Sequence, residues 1–133
     1  MDRQKPGFFS SRIRSFQFAF AGWWHVIRTQ PNAWIHALAS AVAILLAIWL
    51  NLSIQNWAIL LLTMALVWTA EFFNTALEAT VDLFSPQPHP LAKIGKDVAA
   101  GAVLISALAS FLVGLLILGP PLLSRLGIII PNH

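Results

Sequence analysis

Residues 29–70 contain no Asp, Glu, Lys or Arg. One membrane crossing uses about 20 apolar residues, so this run is too long for a single span and has to contain a turn. The turn belongs at 51–56, where three amides and a serine interrupt the aliphatic pattern. Trp49 and Trp57 stand on either side of it, suited to the aromatic belt of a membrane surface. A composition of 58% hydrophobic and 10% charged residues excludes an ordinary soluble globule and makes lipid the solvent. Cysteine is absent, which excludes a disulfide framework and a thiolate metal site.

The pattern predicts an all-α membrane protein with three transmembrane helices at about 32–50, 56–84 and 92–118. An amphipathic helix at about 10–29 precedes them, in which Arg12, Arg14, Gln17 and Arg28 alternate with Phe16, Phe20, Trp23 and Trp24, as in a helix lying in the interface. Pro31 is pre-set for the start of the first span, and Gly119, Pro120 and Pro121 are expected to end the third. The N-terminal segment, broken by arginines, does not read as a cleaved signal peptide, so 1–133 is taken as one membrane domain. With three crossings, the N-terminal segment and the loop holding Lys93 and Lys96 share a side. Together they carry all the basic residues except Arg125, which makes that side cytoplasmic and leaves the C-terminus outside. The net charge of +3 is thus positional, and nucleic acid is not the implied partner.

The second span carries the anomaly. At about 100° per residue, Glu71, Asn74, Glu78 and Asp82 fall at roughly 0°, 300°, 340° and 20°, on one stripe of the helix. An ionised carboxylate in hydrocarbon costs roughly 2.5–3.5 kcal/mol even on lenient scales, so such groups mark function more often than packing. Asp82, nearest the loop, also fits a solvated edge residue paired with Arg12, Arg14, Lys93 or Lys96. Carboxylates with an amide between them, facing a lysine-bearing loop, suit Mg²⁺ and a polyphosphate, because hard oxygens hold the metal and ammonium groups neutralise phosphate. Glu71, deepest in the membrane, suits a lipid hydroxyl, and Glu78, two turns nearer water, suits a phosphate-bound metal. No glycine-rich Walker loop is present to cradle phosphate.

These residues resemble the signature of the bacterial diacylglycerol kinase family, small integral membrane lipid kinases. Glu71-Phe72-Phe73-Asn74-Thr75-Ala76-Leu77-Glu78-Ala79-Thr80-Val81-Asp82 is similar to its first block, and Lys96-Asp97-Val98-Ala99-Ala100-Gly101-Ala102-Val103 to its second. His89-Pro90-Leu91-Ala92-Lys93, and Asn32 followed by His36, resemble the undecaprenol kinase branch more than the diacylglycerol branch.

The resemblance implies a homotrimer with active sites shared between subunits, phosphorylating undecaprenol or diacylglycerol from Mg²⁺ and ATP in the bacterial cytoplasmic membrane. It implies Glu71 as base on the lipid hydroxyl, Asn74 as a polar catalytic group and Glu78 as metal ligand. Arg14, Glu78, His89, Lys96 and Asp97 would contact the nucleotide, and Arg12 the lipid. At the end of the surface helix the family has a metal-shell glutamate where this chain has Gln30, an uncharged oxygen ligand.

Two other readings stand beside this one: a catalytically impaired family member that binds lipid, and a small proton-coupled transporter subunit using Glu71. His25 and His36 read as packed or interfacial residues, and the six tryptophans chiefly as interface anchors. Small residues from Ala99 to Ala109 favour close helix packing, and a neighbouring subunit is expected to cover the polar stripe.

Overall fold

The computed structural model describes residues 8–128. Its elements are α1 (Phe8–Thr29), α2 (Pro31–Trp49), α3 (Ile54–Phe84) and α4 (Pro90–Arg125), with no strand among the described residues. Helices α2, α3 and α4 are each long and apolar enough to cross a membrane. At about 1.5 Å per residue, the 31 residues of α3 and the 36 of α4 exceed the roughly 30 Å of hydrocarbon, so both extend past it as helix.

The α2–α3 turn is built from residues chosen for their backbone geometry. Asn51 takes φ +52°, the left-handed region that asparagine tolerates. There it closes α2 in a Schellman pattern: the Leu52 N–H donates to the Ala47 carbonyl at 3.2 Å, and the Asn51 N–H to that of Ile48 at 3.1 Å. Ser53 then opens α3, its hydroxyl accepting the Asn56 N–H at 3.3 Å. Gly127, at φ +71°, ends α4 in the same way, with the Ile128 N–H on the Leu123 carbonyl.

The helix α4 does not stop at Gly119 as expected; it runs through Pro120 and Pro121 to Arg125. A proline pair removes two N–H donors but holds φ near its helical value. Gly119, having no Cβ, also avoids the clash that normally bars helix before proline.

The hairpin places Ala47 and Leu50 of α2 and its turn against Leu60 of α3 and Leu118 of α4, a small core at one end of the molecule. At that end Arg125 lies over the Trp49 ring, 5.5 Å from its centroid. Elsewhere the long helices leave Leu62, Leu104, Ile105 and Leu116 exposed, as expected where lipid covers apolar side chains at no cost. The polar residues collect at the opposite end.

Candidate active site

Helix α3 presents Glu71, Asn74 and Glu78 toward α2 and the α1–α2 joint, and this is where the sequence's polar stripe becomes a cluster. Gln30 is the N-cap residue of α2, but its side chain caps nothing. Instead its Nε2 donates to Glu78 Oε2 at 3.3 Å, while Asn74 Nδ2 donates to Glu78 Oε1 at 3.2 Å. The position at which an amide replaces the expected glutamate is therefore in contact with the carboxylate it was expected to partner.

Glu71 lies about two turns before Glu78 in α3. It is 1% exposed, and neither carboxylate oxygen has a hydrogen-bond partner. His36 Nε2 of α2 lies 3.7 Å from Oε2. Asn74 is 7% exposed, and its Oδ1 is also buried without a partner. Thr75, buried beside them, turns its hydroxyl back to the Glu71 carbonyl at 2.9 Å, so it is satisfied within the helix. Leaving buried acceptors unpaired costs about 1–3 kcal/mol each, more for charged groups, and a fold tolerates this chiefly at sites of function.

This burial corrects one expectation. A neighbouring subunit is not needed to cover the deep part of the stripe, because a single chain already encloses Glu71 and Asn74. Asp82 departs from the cluster. Its side chain is 63% exposed and pairs with Lys96 at 2.5 Å, the edge role that its position allowed.

The loop after α3 forms a second polar region, continuous with the first along the helix. A cleft of about 760 Å³ is lined by Asp82, Gln87, His89, Lys93, Lys96 and Asp97 among others. His89 is the N-cap of α4, its Nδ1 accepting the Leu91 N–H at 3.2 Å, which leaves Nε2 as the protonated nitrogen of the neutral ring. Lys96 and Asp97, adjacent in sequence, have different partners: Lys96 holds Asp82, and Asp97 takes Lys93 at 2.5 Å across one helical turn.

Arg12 and Arg14 are exposed on α1. About 22 Å of helix axis separates Arg14 from Thr29, so α1 does not carry them to Gln30 and Glu78 of the same chain.

Two contacts escaped the sequence. His36, which the sequence reads as a packed or interfacial residue, faces the buried Glu71. A signal lies in the sequence, since His36 is the sole ionisable residue of α2. Trp23 and Trp68, which the sequence reads as interface anchors, have rings 4.9 Å apart, with Phe72 4.8 Å from Trp23. Trp68 Nε1 donates to Ser40 Oγ at 3.3 Å, tying α3 to α2 one turn from His36.

Among the described residues, no three His, Cys, Asp or Glu side chains gather as a ready-made metal site. The groups at Glu78 can nonetheless offer a metal hard oxygens: its carboxylate, the unpartnered buried Asn74 Oδ1 and, once its amide turns from the Nε2 contact, the Gln30 carbonyl. That set fits Mg²⁺, which is commonly held by one or two carboxylates with substrate phosphates completing its shell.

A sequence model of the prokaryotic diacylglycerol kinase family matches residues 17–118. The chain is 42% identical over 110 residues to the undecaprenol kinase of Bacillus subtilis, covering 83% of this chain and 89% of that protein. It is 48% identical over 111 residues to a diacylglycerol kinase of Synechocystis, covering 83% of this chain and 63% of that one. To the diacylglycerol kinase of Escherichia coli it is 34% identical over 85 residues, 59% of this chain and 70% of that protein. With a family match across most of its length, and its acidic helix face and lysine-bearing loop both inside that match, the chain belongs to the prokaryotic diacylglycerol kinase family.

Proposed function

We propose that the chain transfers the γ-phosphoryl group of ATP to the hydroxyl of a membrane lipid alcohol at the cytoplasmic face of the bacterial membrane. One observation carries this reading: a buried, unpartnered carboxylate, Glu71, shares a helix face with the oxygen cluster of Asn74, Glu78 and Gln30. A transporter subunit would use Glu71 but has no need of that cluster or of the lysine-lined cleft, and nothing in the kinase relatives favours it.

In the proposed reaction the lipid oxygen forms its bond to the γ-phosphorus as Glu71 takes the hydroxyl proton and ADP departs with the electrons of the broken P–O bond. Asn74 orients the reacting groups beside Glu71. Glu78, with Gln30 and the Asn74 amide oxygen, would hold Mg²⁺, which when bound supplies neutralisation of phosphate charge. Lys96 and Asp97 contact the nucleotide, with His89 beside its base. Lys96 has to exchange its Asp82 partner for phosphate, a small cost at so exposed a pair.

Arg14 joins the nucleotide and Arg12 the lipid from a neighbouring copy, since α1 holds both far along its axis from Gln30. That arrangement is a homotrimer with shared sites, α1 lying in the cytoplasmic interface with its exposed Phe16, Phe18, Phe20 and Trp24 in lipid. The whole chain forms one membrane domain, with the Lys93–Lys96 end and the N-terminus cytoplasmic and the C-terminus outside.

Undecaprenol is the preferred substrate over diacylglycerol. The branch-like residues Asn32, His36 and His89–Lys93 support it, as does coverage of 89% of the undecaprenol kinase's length. The test is Mg²⁺-dependent transfer from labelled ATP to each alcohol, alone and in competition. Absence of labelled lipid with correctly folded protein would reject the kinase reading and favour an impaired, lipid-binding member. Preference for diacylglycerol would reject only the substrate.

A further inference from the structure

We infer that His36 is a positioning residue for this reaction, its Nε2–H holding one carboxylate oxygen of Glu71 so that the other faces the lipid hydroxyl. The inference rests on the proposed role of Glu71 as base.

Four observations carry it. His36 Nε2 lies 3.7 Å from Glu71 Oε2. The Nε2 atom and both Glu71 oxygens are buried, and none of the three has a hydrogen-bond partner. The imidazole is set in place, its ring edge-to-face with Trp68 at 6.3 Å, and Trp68 is itself tied to Ser40 on the helix that carries His36. His36 is also the sole ionisable side chain of α2, a helix otherwise made of apolar and small residues, with Asn32 and Ser40.

A separation of 3.7 Å is beyond a hydrogen bond, but catalytic hydrogen bonds often tighten only in the substrate complex. Less than 1 Å of closure is needed. A carboxylate on a helix side chain rotates about its last bond, and a fixed donor on one oxygen selects the rotamer in which the second oxygen points at the reacting hydroxyl. As the O–H bond breaks, the proton passes to that second oxygen while the lipid oxygen bonds to phosphorus and the bond to ADP breaks. The histidine neither gains nor loses a proton and needs only to keep its N–H on Glu71.

The test uses the full chain in detergent or bilayer with labelled ATP and a lipid alcohol, comparing five variants. His36→Ala is expected to lower kcat by ten- to a hundred-fold with KM for ATP within two-fold. His36→Gln, whose amide nitrogen reaches the place of Nε2, is expected to recover at least ten-fold over His36→Asn, whose amide stops at the place of Nδ1. In a Glu71→Gln background, His36→Ala is expected to have no further effect, since both act through one carboxylate.

Wild-type kcat in His36→Ala, or equal rates for His36→Gln and His36→Asn, overturns the positioning role. If His36→Ala fails to fold, the comparison of Gln with Asn decides. Normal turnover by Glu71→Gln alone would instead overturn the base assignment, a separate failure from that of His36.

Discussion

Gln30→Glu tests the metal shell, and its size can be worked from one contact. Gln30 Nε2 donates to Glu78 Oε2 at 3.3 Å. Replacing the amide by a carboxylate turns that contact into a like-charge pair. At the same separation the repulsion is about 1.3 kcal/mol in a medium like bulk water and about 5 kcal/mol at an effective dielectric of about 20. Both side chains are half-buried, so the value lies between these limits. Mg²⁺ placed between the carboxylates removes the repulsion, and the lower limit already corresponds to about ten-fold in an equilibrium constant.

The variant is therefore expected to be less stable than the parent without Mg²⁺, to regain that stability when Mg²⁺ and nucleotide are added, and to need about ten-fold less free Mg²⁺ for half-maximal rate. Thermal unfolding in detergent and a Mg²⁺ titration of initial rate at fixed ATP measure both quantities. Gln30→Ala, which loses the amide contact without adding charge, should not tighten Mg²⁺. Unchanged Mg²⁺ dependence in Gln30→Glu, with a stability loss that Mg²⁺ does not reverse, would refute the placing of residue 30 in the metal shell.

Glu71→Gln is expected to lower kcat by about 10²- to 10⁴-fold with nucleotide affinity intact, since it removes a proton acceptor and no phosphate contact. The same variant should unfold at a higher temperature than the parent, because an unpaired buried carboxylate is replaced by an amide. Lys96→Ala should raise KM for ATP while changing stability by under about 1 kcal/mol, the pair with Asp82 being exposed; a loss of stability without a change in KM would make the pair structural. Asn51→Val should cost about 1–2 kcal/mol in thermal unfolding, because φ +52° is strained for a β-branched residue, whereas Asn51→Gly should cost nothing.

Much of the fold was legible because its signals are local. The uncharged run, the amides at the turn and the 3.6-residue period of Glu71, Asn74 and Glu78 each sit within one segment of chain. Signals that depend on contacts between segments were not legible. The same period placed Asp82 on the stripe, yet Asp82 lies near the end of α3, exposed to the loop and within reach of Lys96, so it left the cluster. Gly119, Pro120 and Pro121 carried a stop signal that a glycine before the pair defeated. The pairing of Trp23 with Trp68 was invisible because both residues also suit an interface.

The concealment of His36 has a particular cause. A hydrophobic period shows which face of a helix is polar, but not how far one helix has slid along its neighbour. In this hairpin three contacts measure that slide: Ser40 with Trp68, His36 with Glu71 and Gln30 with Glu78. Each step back along α2 is matched by a nearly equal step forward along α3, which is the register of two antiparallel helices leaving one turn. The register is fixed at Asn51 and Ser53, where the left-handed residue and the helix cap determine where α2 ends and α3 begins. A slip of one helical turn would bring Asn32 or Ser40 opposite Glu71 and take Gln30 away from Glu78. The chemistry of the polar end is thus set by backbone geometry at the far end of the hairpin. Gln30 supplies the one cross-helix distance that, combined with that turn, makes His36 readable: once residue 30 is known to meet residue 78, the helix rise alone puts residue 36 at the level of residue 71.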